Sequence, residues 1–261
     1  ARAAGGVRPL IEIKDGAQQD RLVGGAQQLC QRLAEGLDVR LSEPVRHIDQ
    51  SANKVVVSTD AGEHIADRVI VAIPPALAGR IRYTPDLPPG RDQLCQRMPM
   101  GATTKFIAIY DRPFWREAGL SGEVVADGKP FTVVFDNTTP EGTAALLGFI
   151  VGAPARRFTT LPPHQQRAEA LGAFARWFGP HASTPQEIAV KDWSEDPWTR
   201  GCPIGVCGPL TLSIHGDALT RPIDRIYWAG TETAEVWTGF MEGAVRSGER
   251  AASEVLRSDP S

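Results

Sequence analysis

Apolar residues recur at helical spacing in three segments of the chain. The first follows Gly24-Gly25 and carries leucines at positions 29, 33 and 37, and the second spans Pro163 to Phe178 with one apolar side. Such spacing is typical of helices with a buried face. The third segment begins near Gly239 and is predicted to be a long helix whose buried stripe consists of Met241, Ala244, Val245, Gly248, Ala252, Val255 and Leu256.

Between the first two helices the pattern changes to short runs of β-branched residues separated by Asn, Asp and Gly, which predicts a sheet built from hairpins. Val69 to Ile73 is continuously apolar, as expected of a strand covered on both faces, and it stops at Pro74-Pro75. The pattern predicts further strands at residues 10–13, 39–41, 45–48, 55–58, 105–110, 131–135 and 144–151.

Composition favours a globular protein that acts on small molecules. Of 261 residues, 42% are hydrophobic and 23% charged, and the formal net charge is −3 without any basic run. Nucleic acid and anionic membrane surfaces are therefore poor candidates for the main partner. The four cysteines lack C-x-x-C spacing, the five histidines are scattered, and no apolar run approaches the roughly 20 residues of a membrane span.

Two local patterns suggest chemistry. Residues 226–233 run from an apolar strand into a Gly-Thr turn, and a helix opens shortly afterwards, so unpaired N–H groups there would favour a phosphate or an electron-rich ring edge. Lys105 opens an alternating strand on the same face as Ile107 and Ile109. A buried ammonium there would be costly without a partner and would have a lowered pKa, whereas a strand-end lysine could instead extend to solvent.

The segment from Trp228 to Ala252 resembles the flavin-contacting C-terminus of the flavin-dependent monoamine oxidase family. Further landmarks follow in the family's order at residues 21–25, 71–75, 101–115, 193 and 201–202. The resemblance implies an α+β or α/β fold of two domains, a partial FAD-binding domain and a substrate domain with a mixed sheet and helices. The expected boundaries are 21–94 and 196–257 for the FAD-binding domain, and 1–20 and 95–195 for the substrate-binding domain.

Members of this family open with a G-x-G-x-x-G dinucleotide fingerprint, and the chain contains none. The chain is therefore expected to correspond to the C-terminal half to two-thirds of a family member. This departure puts tight binding of FAD by the chain alone in doubt.

The resemblance assigns roles to individual residues. Lys105 matches the lysine that holds a water at flavin N5, and Trp193 and Phe240 match aromatic residues near the ring. Cys202 matches the position that in some members forms a thioether with the flavin; the alternative is a free cysteine beside non-covalent FAD. The implied cofactor-binding residues are Val45, Cys202, Gly230, Thr231 and Met241, and the implied substrate-binding residues are Ile11, Gln18, Val133, Phe149 and Pro203.

Two aromatic positions depart from the family pattern. Monoamine oxidases flank the amine with two tyrosines, and the corresponding residues here are Pro203 and Phe240. Phe240 still offers a π face to an amine, whereas Pro203 does not. Either Trp198 or Trp237 then contributes, or the preferred amine differs.

The implied reaction is the FAD-dependent oxidation of a primary or secondary amine to an imine, with O2 reduced to H2O2 and no metal. A putrescine or polyamine oxidase would need a distant carboxylate, for which Glu123 and Asp136 are candidates, and an amino-acid oxidase would need an arginine. From another class, the chain could be an inactive remnant or an interaction module. The expected location is the cytoplasm, without a membrane or nucleic-acid partner, and a homodimer is a candidate assembly.

Overall fold

The computed structural model describes Gly16 and residues 19–258, which divide into two compact units. Unit 1 comprises the described residues up to 98 together with 207–258, and unit 2 comprises residues 99–206. The predicted strand at 10–13 and the predicted substrate residues Ile11 and Gln18 lie outside the described residues.

Unit 1 contains a four-stranded and a two-stranded sheet. In the first, β1 and β2 form a predicted hairpin, β3, which the pattern did not predict, pairs antiparallel to β2, and β5 pairs parallel to β1. In the second, β11 pairs parallel to β4. The strands are β1 (Val45–Asp49), β2 (Val55–Thr59), β3 (Glu63–Ala66), β4 (Val69–Val71), β5 (Arg82–Thr84) and β11 (Ile226–Trp228). The helices are α1 (Gln27–Leu33), α2 (Pro75–Ala78), α3 (Pro89–Arg97), α7 (Thr211–His215) and α8 (Met241–Arg257).

The core of unit 1 is small. It lies where β1, β2, β4, β5 and β11 meet, and its buried residues are Ile48, Val55, Val71, Ala78, Tyr83, Ile226 and Trp228. β4 is shorter than predicted, and Ile70 and Ile73 are each 38% exposed, so the expected coverage of both faces is wrong for this strand. Residues 39–41 form no strand, and α1 buries none of its residues.

The predicted buried stripe of α8 is also wrong. The helix buries Gly243, Ser247 and Ala251, while Met241 is 49% and Leu256 76% exposed. The helix approaches the preceding turn so closely that a Cβ on Gly243 would lie 2.2 Å from the carbonyl oxygen of residue 237. This contact requires small side chains, so the larger apolar residues lie on other faces.

Unit 2 is built on one antiparallel sheet of five strands in the order β10-β6-β9-β8-β7. The strands are β6 (Thr103–Tyr110), β7 (Val124–Val125), β8 (Val133–Asp136), β9 (Ala144–Val151) and β10 (Glu187–Asp192), and the helices are α4 (Phe114–Glu117), α5 (Ala153–Thr159) and α6 (Pro163–Phe178). The predicted strands at 105–110 and 144–151 and the predicted helix at 163–178 are confirmed.

One face of this sheet carries the core of unit 2. Phe106 of β6 is fully buried and packs edge-on against Phe131 and Phe174, and these last two rings stack at 4.7 Å between centroids. The predicted apolar side of α6 is buried here. The residues that alternate with the core residues along β6 and β9 are half-buried and line the opposite face of the sheet. Within the described residues, no helix is long and apolar enough to cross a membrane.

Candidate functional site

Three of the predicted site residues lie side by side on the half-buried face of the unit 2 sheet. Val133 of β8 pairs with Phe149 of β9, Phe149 pairs with Lys105 of β6, and Lys105 pairs with Lys191 of β10. Directly paired residues project their side chains to the same face. The sheet therefore brings an aliphatic, an aromatic and two cationic side chains into one row, which we call the Lys105 row.

Lys105 projects from the half-buried face of the unit 2 sheet. Strand β6 alternates as predicted, with Phe106 and Ala108 buried and Lys105 half-buried. The Lys105 Nζ lies 5.4 Å from the centre of the Phe149 ring, within the range of a cation–π contact. The ammonium thus combines an aromatic neighbour with partial access to solvent, which removes most of the cost of burying a charge.

Trp193 follows the edge strand β10 and is tied to the same sheet. Its backbone N–H donates to the carbonyl oxygen of Thr103 at 3.4 Å, and the Lys191 Nζ lies 5.0 Å from the centre of its ring. Its indole Nε1 is buried and has no hydrogen-bond partner among the described residues. An unsatisfied buried donor costs about 1–3 kcal/mol, so this position favours an acceptor supplied by water or a ligand.

The backbone at Cys202 is fixed by two glycines. A Cβ on Gly101 would lie 2.5 Å from the Cys202 carbonyl oxygen, and a Cβ on Gly201, whose φ is +148°, would lie 2.3 Å from the Gly101 carbonyl oxygen. The Cys202 N–H donates to the Gly101 carbonyl at 2.9 Å, and the Thr103 hydroxyl donates to the Cys202 carbonyl at 3.0 Å. The two segments fit together only without side chains at 101 and 201.

The Cys202 thiol is free and half-buried. Burial raises the pKa of this thiol, and the positive charge of Lys105 opposes that rise. The neutral thiol is therefore the resting form at neutral pH. Pro203, the predicted substrate residue that follows it, is exposed.

In unit 1, the turn after β11 leads into the first turn of α8. The Thr231 hydroxyl accepts a hydrogen bond from the Gly239 N–H at 2.7 Å and donates one to the Phe240 carbonyl at 3.0 Å. Phe240 is the N-cap of α8 and supplies no side-chain cap, and Met241 at the first helical position is half exposed. The helix dipole and the uncapped N–H groups favour an anion or an electron-rich edge at this end.

Trp237 is the tryptophan that lies next to Phe240. Their rings meet edge to face with centroids 5.4 Å apart, and Trp237 adopts φ +58°, a left-handed conformation that bulky residues rarely take. Strain of this kind occurs most often at functional sites. Trp198, the other candidate, belongs to unit 2 and is 64% exposed.

The remaining predicted cofactor-binding residues lie in different structural environments. Gly230 adopts φ +109°, and its N–H donates to the Ser247 hydroxyl at 2.9 Å. Val45 opens β1 and packs against the core of unit 1. Within unit 1, Gly230, Thr231, Phe240 and Met241 thus share one turn and helix start, whereas Val45 belongs to the strand core.

Neither carboxylate proposed for a diamine substrate is suited to that role. Asp136 lies on the core face of β8 and accepts hydrogen bonds from the Trp115 indole at 2.8 Å and from the Arg116 guanidinium at 2.5 Å. Burial alone would raise the pKa of Asp136, but bonds from Arg116, Thr138 and Trp115 outweigh it and lower the pKa to about 2. Glu123 is exposed in the segment before β7.

Sequence reasoning missed the side chains that hold the turn after β11. Arg91 is 3% exposed, its guanidinium carbon lies 3.5 Å from the centre of the Trp228 ring, and its Nη1 donates to the carbonyls of Ala218 and Leu219. Ser247 and Arg250 contact the turn from α8. The only signal in the sequence was that Ser247 and Arg250 fall within the segment that resembles the flavin-contacting C-terminus.

Comparisons with known proteins agree with this resemblance. Residues 3–256 match the family described as flavin containing amine oxidoreductase. The chain is 44% identical over 259 residues to a probable flavin-containing monoamine oxidase A of Dictyostelium discoideum, covering 97% of this chain and 57% of the relative. It is 38% identical over 262 residues to the human flavin-containing amine oxidase B, covering 98% of this chain and 50% of the relative.

Solved structures give the same result. A cyclohexylamine oxidase from Brevibacterium oxydans superposes with a TM-score of 0.91 at 33% identity, covering 98% of this chain and 57% of that one. A putrescine oxidase bound to putrescine superposes with a TM-score of 0.93 at 32% identity, covering 98% of this chain and 58% of that one. The chain spans about half the length of these relatives. On the match over nearly its whole length, it belongs to the family of flavin-containing amine oxidoreductases.

Proposed function

We propose that this chain takes part in the FAD-dependent oxidation of a primary or secondary amine to an imine, with O2 reduced to H2O2. The observation that carries the proposal is the Lys105 row, where a half-buried ammonium lies beside an aromatic side chain on the open face of a sheet. When bound, FAD supplies the electron acceptor for the amine and passes the electrons to O2.

The residues of unit 1 fit such a cofactor. The first turn of α8 begins at Phe240 without a side-chain cap, and the Met241 N–H lies at its positive end. This end would stabilise negative charge that develops on a reduced ring edge. Gly230 and Thr231 would hold the cofactor beside it, with Val45 as a further contact.

The residues of unit 2 fit the reacting end. Lys105 would hold a water by hydrogen bonding, and Phe149 and Val133 would exclude bulk water from the amine. Trp193 carries a buried indole N–H that lacks a partner among the described residues and suits an acceptor on the ring or on a water.

A monoamine is the better substrate class. Phe240 presents a half-exposed ring for contact with the amine nitrogen, and Trp237 supports that ring edge to face. A diamine would need a carboxylate free to meet its second ammonium, and Asp136 is engaged by three donors on the core face of its sheet. Pro203, exposed after Cys202, would contact the amine without binding its charge.

Several finer expectations remain proposals. The functional division assigns FAD binding to residues 21–94 and 196–257 and substrate binding to 1–20 and 95–195. The cytoplasmic location and the homodimer stay predictions. A thioether between Cys202 and the flavin is decided by the intact mass of the protein, because only a covalent flavin survives denaturation, and Cys202→Ala is the control.

A peroxide-coupled assay with benzylamine-type amines, diamines and amino acids tests the reaction. Lys105→Met is expected to lower kcat roughly 100-fold, because misplacing a group at the reacting centre by about 1 Å can cost this much. Lys129→Met is the matched control, because Lys129 is 81% exposed in the same unit. Peroxide formation from none of these amines would contradict the proposal and favour an inactive remnant or an interaction module.

A further inference from the structure

Side chains of α8 hold the turn that follows β11 in place. The Ser247 hydroxyl accepts a hydrogen bond from the Gly230 N–H at 2.9 Å and donates one to the Ala244 carbonyl at 2.7 Å. Ser247 is 1% exposed, so both bonds are shielded from water. One end of the turn is thereby pinned to the helix through a single hydroxyl.

Arg250, three residues after Ser247 on α8, contacts the same turn. Its Nη2 donates to the Trp228 carbonyl at 2.8 Å and to the Thr233 hydroxyl at 3.0 Å. Its Nη1 donates to the Glu254 carboxylate at 2.8 Å, and the two side chains are 21% and 24% exposed. One guanidinium therefore bridges the last residue of β11 and the end of the turn that carries Gly230.

An arginine suits this position because its planar group offers several donors in a fixed fork. A lysine ammonium has no such fork and would not reach all three acceptors in the same geometry. Arg246, one helical turn earlier, shows the contrast: its Nε donates to Glu242 at 2.6 Å on an exposed face, with both side chains about half exposed.

We propose that Arg250 is a positioning residue, which acts through the Trp228 carbonyl and the Thr233 hydroxyl to hold residues 229–233 in the conformation that binds the cofactor. The binding part of this inference rests on the proposed function. The positioning part stands on the hydrogen bonds of Arg250 alone.

The test compares Arg250→Met with Arg246→Met in the purified protein. Hydrogen exchange in the absence of cofactor reports the turn through the Gly230, Thr233 and Ala234 amides, which donate to Ser247, Gly230 and Thr231. We expect Arg250→Met to speed this exchange about tenfold, as the loss of a charged hydrogen bond implies, while the amides of β1 and β2 keep their rates. Arg246→Met leaves all of these rates unchanged.

A titration with FAD supplies the second measurement. Arg250→Met is expected to weaken FAD binding about tenfold relative to Arg246→Met, and Arg250→Lys to recover part of that loss. Equal exchange rates at the turn in the two methionine variants would overturn the inference, as would equal affinity for FAD. If the wild-type protein binds no FAD, the proposed function fails, and the exchange data still decide the positioning role. If Arg250→Met does not fold, Arg250→Lys and Glu254→Gln replace it in both measurements.

Discussion

The two units differ in the interactions that stabilise them. Unit 2 packs eighteen buried hydrophobic residues between one sheet face and its helices, among them Phe106, Phe131 and Phe174. The core of unit 1 contains seven, and most of the exposed large hydrophobic side chains of the described chain belong to this unit. Its last helix is also held against the preceding turn by close backbone contact and by hydrogen bonds from Ser247 and Arg250. Unit 2 therefore has one large apolar core, whereas in unit 1 polar and steric contacts add to a smaller one.

The largest effect should come from the core of unit 2. Phe174→Ala removes a fully buried ring that stacks on Phe131, and it should lower the free energy of unfolding by about 3–5 kcal/mol. Phe149→Ala on the open face of the same sheet is the control, since its ring is only half-buried. Urea denaturation measures both. If Phe149→Ala lowered the free energy of unfolding as much as Phe174→Ala, the two faces of the unit 2 sheet would not differ in their contribution to stability.

The close contact in unit 1 should be disturbed by a single methyl group. Gly243→Ala places a Cβ 2.2 Å from the Trp237 carbonyl oxygen, and the rearrangement should cost about 1–3 kcal/mol. Gly248→Ala on the same helix meets nothing within 4 Å and should be neutral or stabilising by up to about 1 kcal/mol. Thermal unfolding of the pair measures the difference. Equal melting temperatures would show that the helix and the turn are not closely packed.

A smaller, pH-dependent effect is expected at Asp136 in unit 2. Its folded pKa of about 2 lies below the ordinary value of 3.8, so its ionised form stabilises the fold. The contribution, at most about 2 kcal/mol, is complete above pH 4 and is lost as the pH falls towards 2. Asp136→Asn should therefore be less stable than wild type at pH 7, and the difference should disappear as the pH falls through 2.

The control for Asp136 is an exposed pair in unit 1. Asp60 accepts a hydrogen bond from Arg46 at 2.7 Å, and both side chains are more than half exposed. Asp60→Asn should leave stability unchanged at every pH, because exposed ion pairs are screened by solvent. A pH-independent difference between Asp136→Asn and wild type would show that the carboxylate charge contributes nothing.

The sequence predicted best those helices and strands that are determined by a local pattern of apolar residues. The apolar repeat of α6 was strong enough to give the helix and its buried side. The alternation of β6 gave the strand, but its buried face carries Phe106 and Ala108, and the face of Lys105 is only half-buried. The stripe of α8 was wrong because close backbone approach at Gly243, a tertiary contact, selects small residues over apolar ones. The coverage of β4 was wrong because an apolar run does not reveal which neighbours a strand has.

The same difference between local pattern and tertiary contact applies to the candidate site. The resemblance located Lys105, Phe149 and Val133 individually, but their alignment in one row depends on the register of three separate strands, which no local pattern specifies. The bridging role of Arg250 depends on the packing of α8 against the turn, so it too required the structure.

We infer above all that this chain contributes to a site for FAD at which an amine is oxidised. The decisive measurement is visible absorption during a titration of the purified protein with FAD, followed by addition of a benzylamine-type amine without O2. We expect saturable binding of FAD and bleaching of the flavin absorption by the amine, with bleaching slowed in Lys105→Met and unchanged in Lys129→Met. A folded protein that leaves the FAD absorption unchanged throughout the titration, or a bound flavin that no amine bleaches, would show that the inferred site is absent.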